Sequence, residues 1–254
     1  MRRSRLCTLS IGATLVAVGA GCAVDGDEAP TSAVSEALGE CHTPNPELFP
    51  KDAHPYGASM ATWGDRLSQW IYEHPFEHNP LFDQTGADCG IDQHGPVWFL
   101  PRIGSSAPVF SGTRSCTIPR HKAILLQIGN AIDTYPCPDP NFHPAPGQSL
   151  YDFLTKDAKP VMDTVNLLEV SIDGKALSNV MSYRYVSNDI FHITGDPSLV
   201  QKLDPCITGK PQPAISDGFF MMFKPLEPGQ HTLHVHGTNT IDQDKTYLYN
   251  LTVD

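Results

Sequence analysis

The segment His231–Asn239 reads HTLHVHGTN, in which histidines alternate with two aliphatic residues. Successive side chains of a β-strand point to opposite faces, so this alternation predicts a strand with Leu233 and Val235 on its buried face. His234 and His236 then share the outer face, and the first histidine lies inward at the strand end, where it needs a hydrogen-bond partner. The segment therefore predicts a half-buried strand at the surface of a sheet.

Similar short runs recur along the chain and are separated by 23 prolines and 20 glycines. The Asp173-Gly174 dipeptide after an alternating run predicts a β-hairpin turn. No regular alternation of helices and strands is present, which disfavours a parallel α/β sheet. We therefore predict a mainly β fold, an antiparallel β-sandwich that is jelly-roll-like with one or two packed helices. The other predicted strands lie at residues 95–100, 122–129, 166–172, 181–187, 189–195, 218–226 and 245–253.

Two segments predict helices. The first has an apolar stripe at helical spacing and ends before Pro75; the stripe consists of Met60, Trp63, Leu67, Trp70 and Ile71. We interpret its two tryptophans as core residues, with an aromatic sugar platform as the alternative. The second helix is predicted at about residues 148–159, before Pro160.

The first 21 residues have the pattern of a secretory signal peptide, a basic start followed by the uncharged run Leu6–Ala20. Two cleavages fit this pattern: an ordinary one after Ala20, or a lipoprotein one that leaves Cys22 acylated. Residues 22–40 are small and acidic and predict a disordered tether. Residues 41–254 then form a single β-sandwich domain. We expect an outer-membrane lipoprotein, or otherwise a periplasmic or secreted protein.

The charge of the chain limits its partners. It has 17 Lys and Arg against 28 Asp and Glu, a net charge of −11, and loss of the leader makes it three units more negative. Such an acidic protein repels phosphate, which argues against nucleic-acid binding. Membrane contact is expected only through the N-terminal lipid anchor. The oligomeric state is left open.

The cysteines favour an oxidising compartment. Cys89 and Cys116 flank the apolar segment 95–100, while Cys137 and Cys206 both lie in proline-containing loops. We predict the disulfides Cys89–Cys116 and Cys137–Cys206, although four cysteines allow three pairings. Cys41 is either free or replaces one of these partners.

Several motifs together resemble a family of uncharacterised exported bacterial proteins. They are NPLFDQTGADCG followed by GPVWFL, then RSCTIPRHKAILLQIGN, and then PLEPGQHTLHVHG with a closing tyrosine-rich strand. The resemblance extends over about residues 63–254. It implies a single exported domain and carries no established activity. Within the last motif, His231 and His234 fit the family pattern, and His236 looks like a local addition.

The pair His234 and His236 resembles the way in which cupin-type sandwiches present two metal ligands on one strand. A divalent metal at this pair needs a third ligand from elsewhere in the chain. Cupins follow the pair with a glutamate, whereas Gly237-Thr238-Asn239 follows here. The alternative is that both histidines face solvent or a groove. The candidate third ligands are His94, His121, His192, Glu227 and Asp242.

The chain has no GxSxG elbow, no HExxH motif and no glycine-rich phosphate loop. Loops at the end of a sandwich are common binding sites, and Asn130 and Asp133 follow a predicted strand there. Arg114 either holds a ligand or forms a salt bridge. The predicted ligand-binding residues are His94, Trp98, Arg114, Asn130, Asp133, His234 and His236.

These observations favour a binding protein, although they leave open whether the chain is an enzyme. We expect an exported, lipid-anchored cell-envelope protein whose sandwich binds a glycan or another small molecule. The alternatives are a cupin-like metal-dependent enzyme that uses His234 and His236, and a purely structural envelope protein.

Overall fold

The computed structural model describes Asn45 and residues 47–254. The predicted signal peptide (1–21), the tether (22–40), Cys22 and Cys41 lie outside these described residues. The helices are α1 (Met60–Glu73) and α2 (Leu150–Asp163). The strands are β1 (Val97–Leu100), β2 (Val109–Ile118), β3 (Ala123–Thr134), β4 (Val165–Ile172), β5 (Lys175–Ala176), β6 (Arg184–Val186), β7 (Phe191–Ile193), β8 (Gln212–Phe223), β9 (Gly229–Asn239) and β10 (Asp244–Val253).

The strands form two sheets of five. Sheet A has the order β1-β3-β8-β6, and β7 pairs with β8 beside β6. Sheet B has the order β2-β10-β9-β4-β5. One apolar core contains residues of both sheets, such as Phe219 and Met221 of sheet A and Leu233 and Val235 of sheet B. The fold is therefore mainly β and sandwich-like, as predicted.

The prediction of a purely antiparallel sandwich is wrong for one strand pair in each sheet. β1 pairs with β3 in parallel, and β2 pairs with β10 in parallel. A parallel pair needs a crossover connection rather than a hairpin. The chain supplies one by leaving sheet A after β1, forming β2 in sheet B and returning as β3. Both sheets are therefore mixed.

Helix α1 covers the outer face of sheet A. The hydroxyl of Ser59 accepts a hydrogen bond from the Thr62 amide at 3.2 Å and caps the first turn. The predicted stripe is buried, and it packs with Phe220 and Met222 of β8 in a second apolar core. Trp63 and Trp70 are each 6% exposed, which confirms them as core residues. Among the described residues, neither α1 nor α2 is long and apolar enough to cross a membrane.

Strand β9 has the predicted orientation. Leu233 and Val235 are 0% and 1% exposed, while His234 is exposed and His236 is half-buried. The hairpin before it is also as expected: Asp173 and Gly174 connect β4 to β5 with φ angles of 51° and 77°. Glycine adopts this left-handed conformation without steric cost.

Two disulfides join the cysteines that the sequence analysis paired, Cys89 with Cys116 and Cys137 with Cys206. They close loops with sequence separations of 27 and 69 residues. The first ties the loop before β1 to β2, and the second ties the loop after β3 to the loop before β8. Such bonds stabilise a fold chiefly by restricting the unfolded chain, and they are consistent with an oxidising extracellular or periplasmic location.

A buried ion pair attaches α2 to sheet A. Asp217 of β8 is 0% exposed and accepts two hydrogen bonds from Arg184 of β6, at 2.7 and 2.6 Å. Arg184 also donates to Asp163, the last residue of α2, at 2.7 Å. Helix α2 continues past Pro160, beyond the end predicted from the sequence. Arg184 also donates a hydrogen bond to the carbonyl of Lys159, and it thereby holds the final turn of α2.

We predict that Arg184→Met destabilises the protein by about 3 kcal/mol or more, because it leaves the buried Asp217 carboxylate without a counter-charge. Urea unfolding followed by tryptophan fluorescence measures this change. Lys159→Met is the control: it removes an exposed partner of Asp163 and should have a small effect. Equal destabilisation by the two substitutions would contradict the role given to Arg184.

Candidate functional site

A cleft of about 280 Å³ opens between the two sheets at one end of the sandwich. Sheet A contributes the part of β3 that follows a β-bulge between Gln127 and Gly129. Sheet B contributes the start of β4, the end of β9 and the start of β10. The last turn of α2 and the loop after β1 complete the rim. The apolar walls include Ile128, Val161, Met162, Leu168, Phe219 and Val235.

Two cations, Arg102 and Lys245, lie at this cleft. Lys245 belongs to the inward face of β10, since it is two residues before the buried Tyr247 and four before the buried Tyr249. Its ammonium donates to the carbonyl of Ser105 at 3.4 Å and to the carbonyl of Ala107. Burial lowers the pKa of Lys245, and the nearby guanidinium of Arg102 adds to this shift.

The charged residues that the described part of the chain places at this cleft are all cationic. Among the described residues that line it, none is an aspartate or a glutamate. Within the same described part of the chain, neither Arg102 nor Lys245 forms a salt bridge with a carboxylate. The hydroxyl of Tyr247 is a further polar group there; burial raises its pKa, and Arg102 opposes that rise. The arrangement is an apolar cleft with two cations and neutral hydrogen-bonding groups.

Asn130 is the one predicted ligand-binding residue that lies at the cleft. Its side-chain oxygen accepts a hydrogen bond from Gln127 at 2.9 Å, and its nitrogen donates to the hydroxyl of Ser68 on α1 at 3.4 Å. These bonds fix the amide in place. Asn130 is therefore held by its neighbours on both β3 and α1.

Asp133 lies three residues further along β3, in an acidic environment of its own. Burial raises the pKa of Asp133 to about 7, and the nearby carboxylates of Asp157 and Asp204 add to the shift. In the described part of the chain, its Oδ2 atom is buried without a hydrogen-bond partner. Its predicted association with Asn130 in one cleft is not observed, since Asp133 is not among the residues that line it.

Trp98 and Arg114 are interior residues. Trp98 is 5% exposed and belongs to the core between the sheets. Arg114 is 1% exposed and donates hydrogen bonds to the carbonyl of Pro101 at 3.0 Å and to the carbonyl of Asp83. The hydrogen bonds of this guanidinium thus go to backbone oxygens, and they hold the loop before β1 and the loop after it against β2.

His94 and the candidate third ligands are spread over the surface. His94 lies in the loop before β1, whose first residue Val97 pairs with Ala123, seven residues before Asn130 on β3, and it does not line the cleft. The other four are exposed in separate parts of the fold: His121, His192, Glu227 and Asp242. Among the described residues, no group of three or more His, Cys, Asp and Glu side chains is arranged to hold a metal ion.

Of the two strand histidines predicted as metal ligands, His234 is exposed, whereas His236 contacts two carboxylates. His236 has Glu169 of β4 at 3.0 Å from Nδ1 and Asp244 of β10 at 3.1 Å from Nε2. The hydrogen bond to Glu169 is the main cause that raises the pKa of His236, and Asp244 adds to it. Metal ligation needs a free nitrogen lone pair on the imidazole. A metal at His236 would therefore have to displace one of these carboxylates.

A larger groove of about 490 Å³ lies near the opposite ends of β4 and β9. Two ion pairs form between residues of this groove. Lys175 contacts Glu47 at 2.5 Å, and His231 contacts Asp173 at 2.8 Å. The ring of His231 also lies 2.8 Å from the carbonyl of Glu227, so the predicted hydrogen bonding of this inward histidine is confirmed. Two of the acidic groups in this groove, Glu47 and Asp173, thus already contact protein partners.

Arg102, Lys245 and Tyr247 are cleft residues that are absent from the predicted site. The period of two in the segment KTYLYNLTV would have placed Lys245 on the same inward face as Tyr247 and Tyr249. No comparable signal exists for Arg102, because it lies in a loop whose path depends on the crossover between the sheets.

Comparison with known proteins gives little further information. No protein-family model matches the chain, and no curated protein is similar to it. The chain is similar at 11% sequence identity to a solved structure titled "Solution Structure of Amebosin". That match covers 57% of this chain and 96% of the other, with a TM-score of 0.18. A TM-score this low carries no argument about fold or function.

We predict that Asp133→Asn makes stability less dependent on pH. Folding raises the pKa of this acid from 3.8 to about 7, so the folded state binds the extra proton and wild-type stability falls as pH rises through that interval. As the pH rises from 4 to 8, the free energy of unfolding of the variant relative to wild type should increase by about 1–2 kcal/mol. This value is reduced for solvent screening. Urea unfolding at several pH values measures it. The exposed Asp242→Asn is the control, and parallel wild-type and Asp133→Asn curves would refute the prediction.

A second prediction concerns His236. Its pKa should lie above 6.5 in the wild type and fall in Glu169→Gln, because the hydrogen-bonded carboxylate stabilises the protonated ring. Titration of the imidazole signals by nuclear magnetic resonance measures both values. The matched control is Glu77→Gln, which replaces an exposed glutamate outside this contact. An unchanged His236 titration in Glu169→Gln would show that the pair does not form in solution.

Proposed function

We propose that this is an exported cell-envelope protein whose sandwich binds a small ligand in the cleft between its two sheets. The observation that supports this proposal is the cleft itself, an open volume of about 280 Å³ with apolar walls and a few polar groups. Binding sites for small molecules usually have this composition, and this volume is near the lower limit of about 300 Å³ for drug-sized ligands. The ligand is therefore small.

Export is supported by the two disulfides and by the N-terminal sequence pattern. Lipidation at Cys22 and an outer-membrane location are parts of the same proposal. The jelly-roll-like strand order and membership in the family of exported bacterial proteins stay predictions from the sequence pattern. The acidic net charge supports a ligand other than nucleic acid.

A glycan is less well supported as the ligand of this cleft than a small apolar molecule. The two aromatic residues at the cleft, Phe219 and Tyr247, are only 2% and 4% exposed, so neither offers an open face on which a sugar ring stacks. The cleft therefore favours a compact, partly apolar molecule. Two alternative functions, a metal-dependent enzyme and a purely structural envelope protein, stay predictions from the sequence. No specific contact favours either of them.

Filling the cleft tests the proposal. A Cβ atom built on Gly129 meets nothing within 4 Å, so a larger side chain fits there and occupies space beside the cleft. We expect Gly129→Leu to weaken binding of the neutral dye Nile red to the full-length protein by about tenfold or more, through steric overlap with the ligand. A fluorescence titration of delipidated protein measures the affinity.

The control is Gly90→Leu, the same substitution at an exposed glycine whose Cβ also has space. Its affinity for the dye should equal that of the wild type, and both variants should keep the wild-type melting temperature. Equal dye binding by all three proteins would mean that the dye does not occupy the cleft, and the proposed function would then lose its support.

A further inference from the structure

The charges at the cleft differ from those of the whole protein. The chain has a net charge of −11, yet the charged residues that line the cleft are two cations, Arg102 and Lys245. A lysine ammonium has three donors, and two of those on Lys245 reach backbone carbonyls. One donor of Lys245 is therefore left for a ligand, beside the guanidinium of Arg102.

Two like charges beside an apolar volume repel each other and are incompletely solvated, and an anion bound between them offsets both costs. An arginine guanidinium binds a carboxylate through two parallel hydrogen bonds, and an adjacent ammonium strengthens the same contact as a point charge. The apolar walls opposite them, which include Val161 and Leu168, offer no partner for a second charge. The cleft thus has a cationic part and an apolar part.

We propose that the ligand is a small carboxylic acid with an apolar chain, its carboxylate bound by Arg102 and Lys245 and its chain packed against the walls of the cleft. This inference rests on the proposed function and specifies its ligand class. The volume of about 280 Å³ limits how much of the chain the cleft can cover. At about 30 Å³ for each water-sized unit, and with a methylene group of similar size, it holds roughly nine such groups.

Isothermal titration of the delipidated full-length protein tests the ligand class with four probes: decanoate, 1-decanol, decyltrimethylammonium and acetate. Decanoate should bind about tenfold or more tightly than 1-decanol, because charge-assisted hydrogen bonds contribute only with the carboxylate. The cationic amphiphile should bind more weakly than the alcohol. Acetate should bind weakly, since it lacks the apolar chain.

Substitutions then assign the carboxylate contact to the two cations. Arg102→Met should remove most of the preference of decanoate over 1-decanol, and Arg102→Lys should retain part of it. The affinity for 1-decanol should stay within about twofold in both variants, which shows that the cleft is intact. The control is Lys210→Met at an exposed lysine away from the cleft, and it should leave the preference unchanged.

The outcomes separate the ligand class from the proposed function. Equal affinities for decanoate and 1-decanol, both lost in Gly129→Leu, would overturn the carboxylic-acid inference and retain ligand binding in the cleft. A decanoate preference that survives Arg102→Met and a Lys245→Met variant would also overturn it. Both proposals would be overturned if none of the four probes binds and if Gly129→Leu leaves the affinity for the dye unchanged.

Discussion

Burial of β8 on both faces is the constraint on which the rest of the structure depends. Phe219, Met221 and Phe223 belong to the core between the sheets, while Phe220 and Met222 belong to the core beneath α1. A strand with this pattern needs cover on each side, and sheet B and α1 supply it. The same burial explains the ion pair beside it: a carboxylate at Asp217 is tolerated because Arg184 compensates its charge.

The cleft forms where this packing ends. Between Phe223 and Phe219 the inward side chains of β8 meet those of sheet B in a continuous core. Beyond that point, β3 has its bulge and a glycine at position 129, where an added Cβ atom would meet nothing within 4 Å. Because this glycine contributes no side-chain volume, the sheets leave space there instead of filling it. The cleft thus lies where a bulge and a glycine interrupt an otherwise close-packed sandwich.

Local periodicity predicted the elements that bury one regular face. Strand β9, helix α1 and the Asp173-Gly174 turn follow directly from such patterns. The predicted cysteine pairing was one of the three that four cysteines allow, and it agrees with the structure. Strand β2 shows no comparable pattern, because Gly112 and Arg114 occupy inward positions that apolar residues usually fill. The two parallel pairs depend on which sheet each strand enters, which periodicity does not encode. Of the residues at the candidate site, the sequence analysis predicted Asn130 and missed Arg102. The position of Arg102 depends on the crossover of the chain from sheet A to sheet B after β1.

The balance of charge differs between the groove at one end of the sandwich and the cleft at the other end. In the groove near His231, Lys175 contacts Glu47 and His231 contacts Asp173, so protein partners compensate these charges. At the cleft, Arg102 and Lys245 are brought together with no such partner among the described residues, and burial disfavours the charged form of Lys245. Acidic residues are the more abundant charge in this chain, so a carboxylate was available to neutralise the pair. Its absence from the cleft lining is unfavourable for the unliganded protein and favourable for an incoming anion.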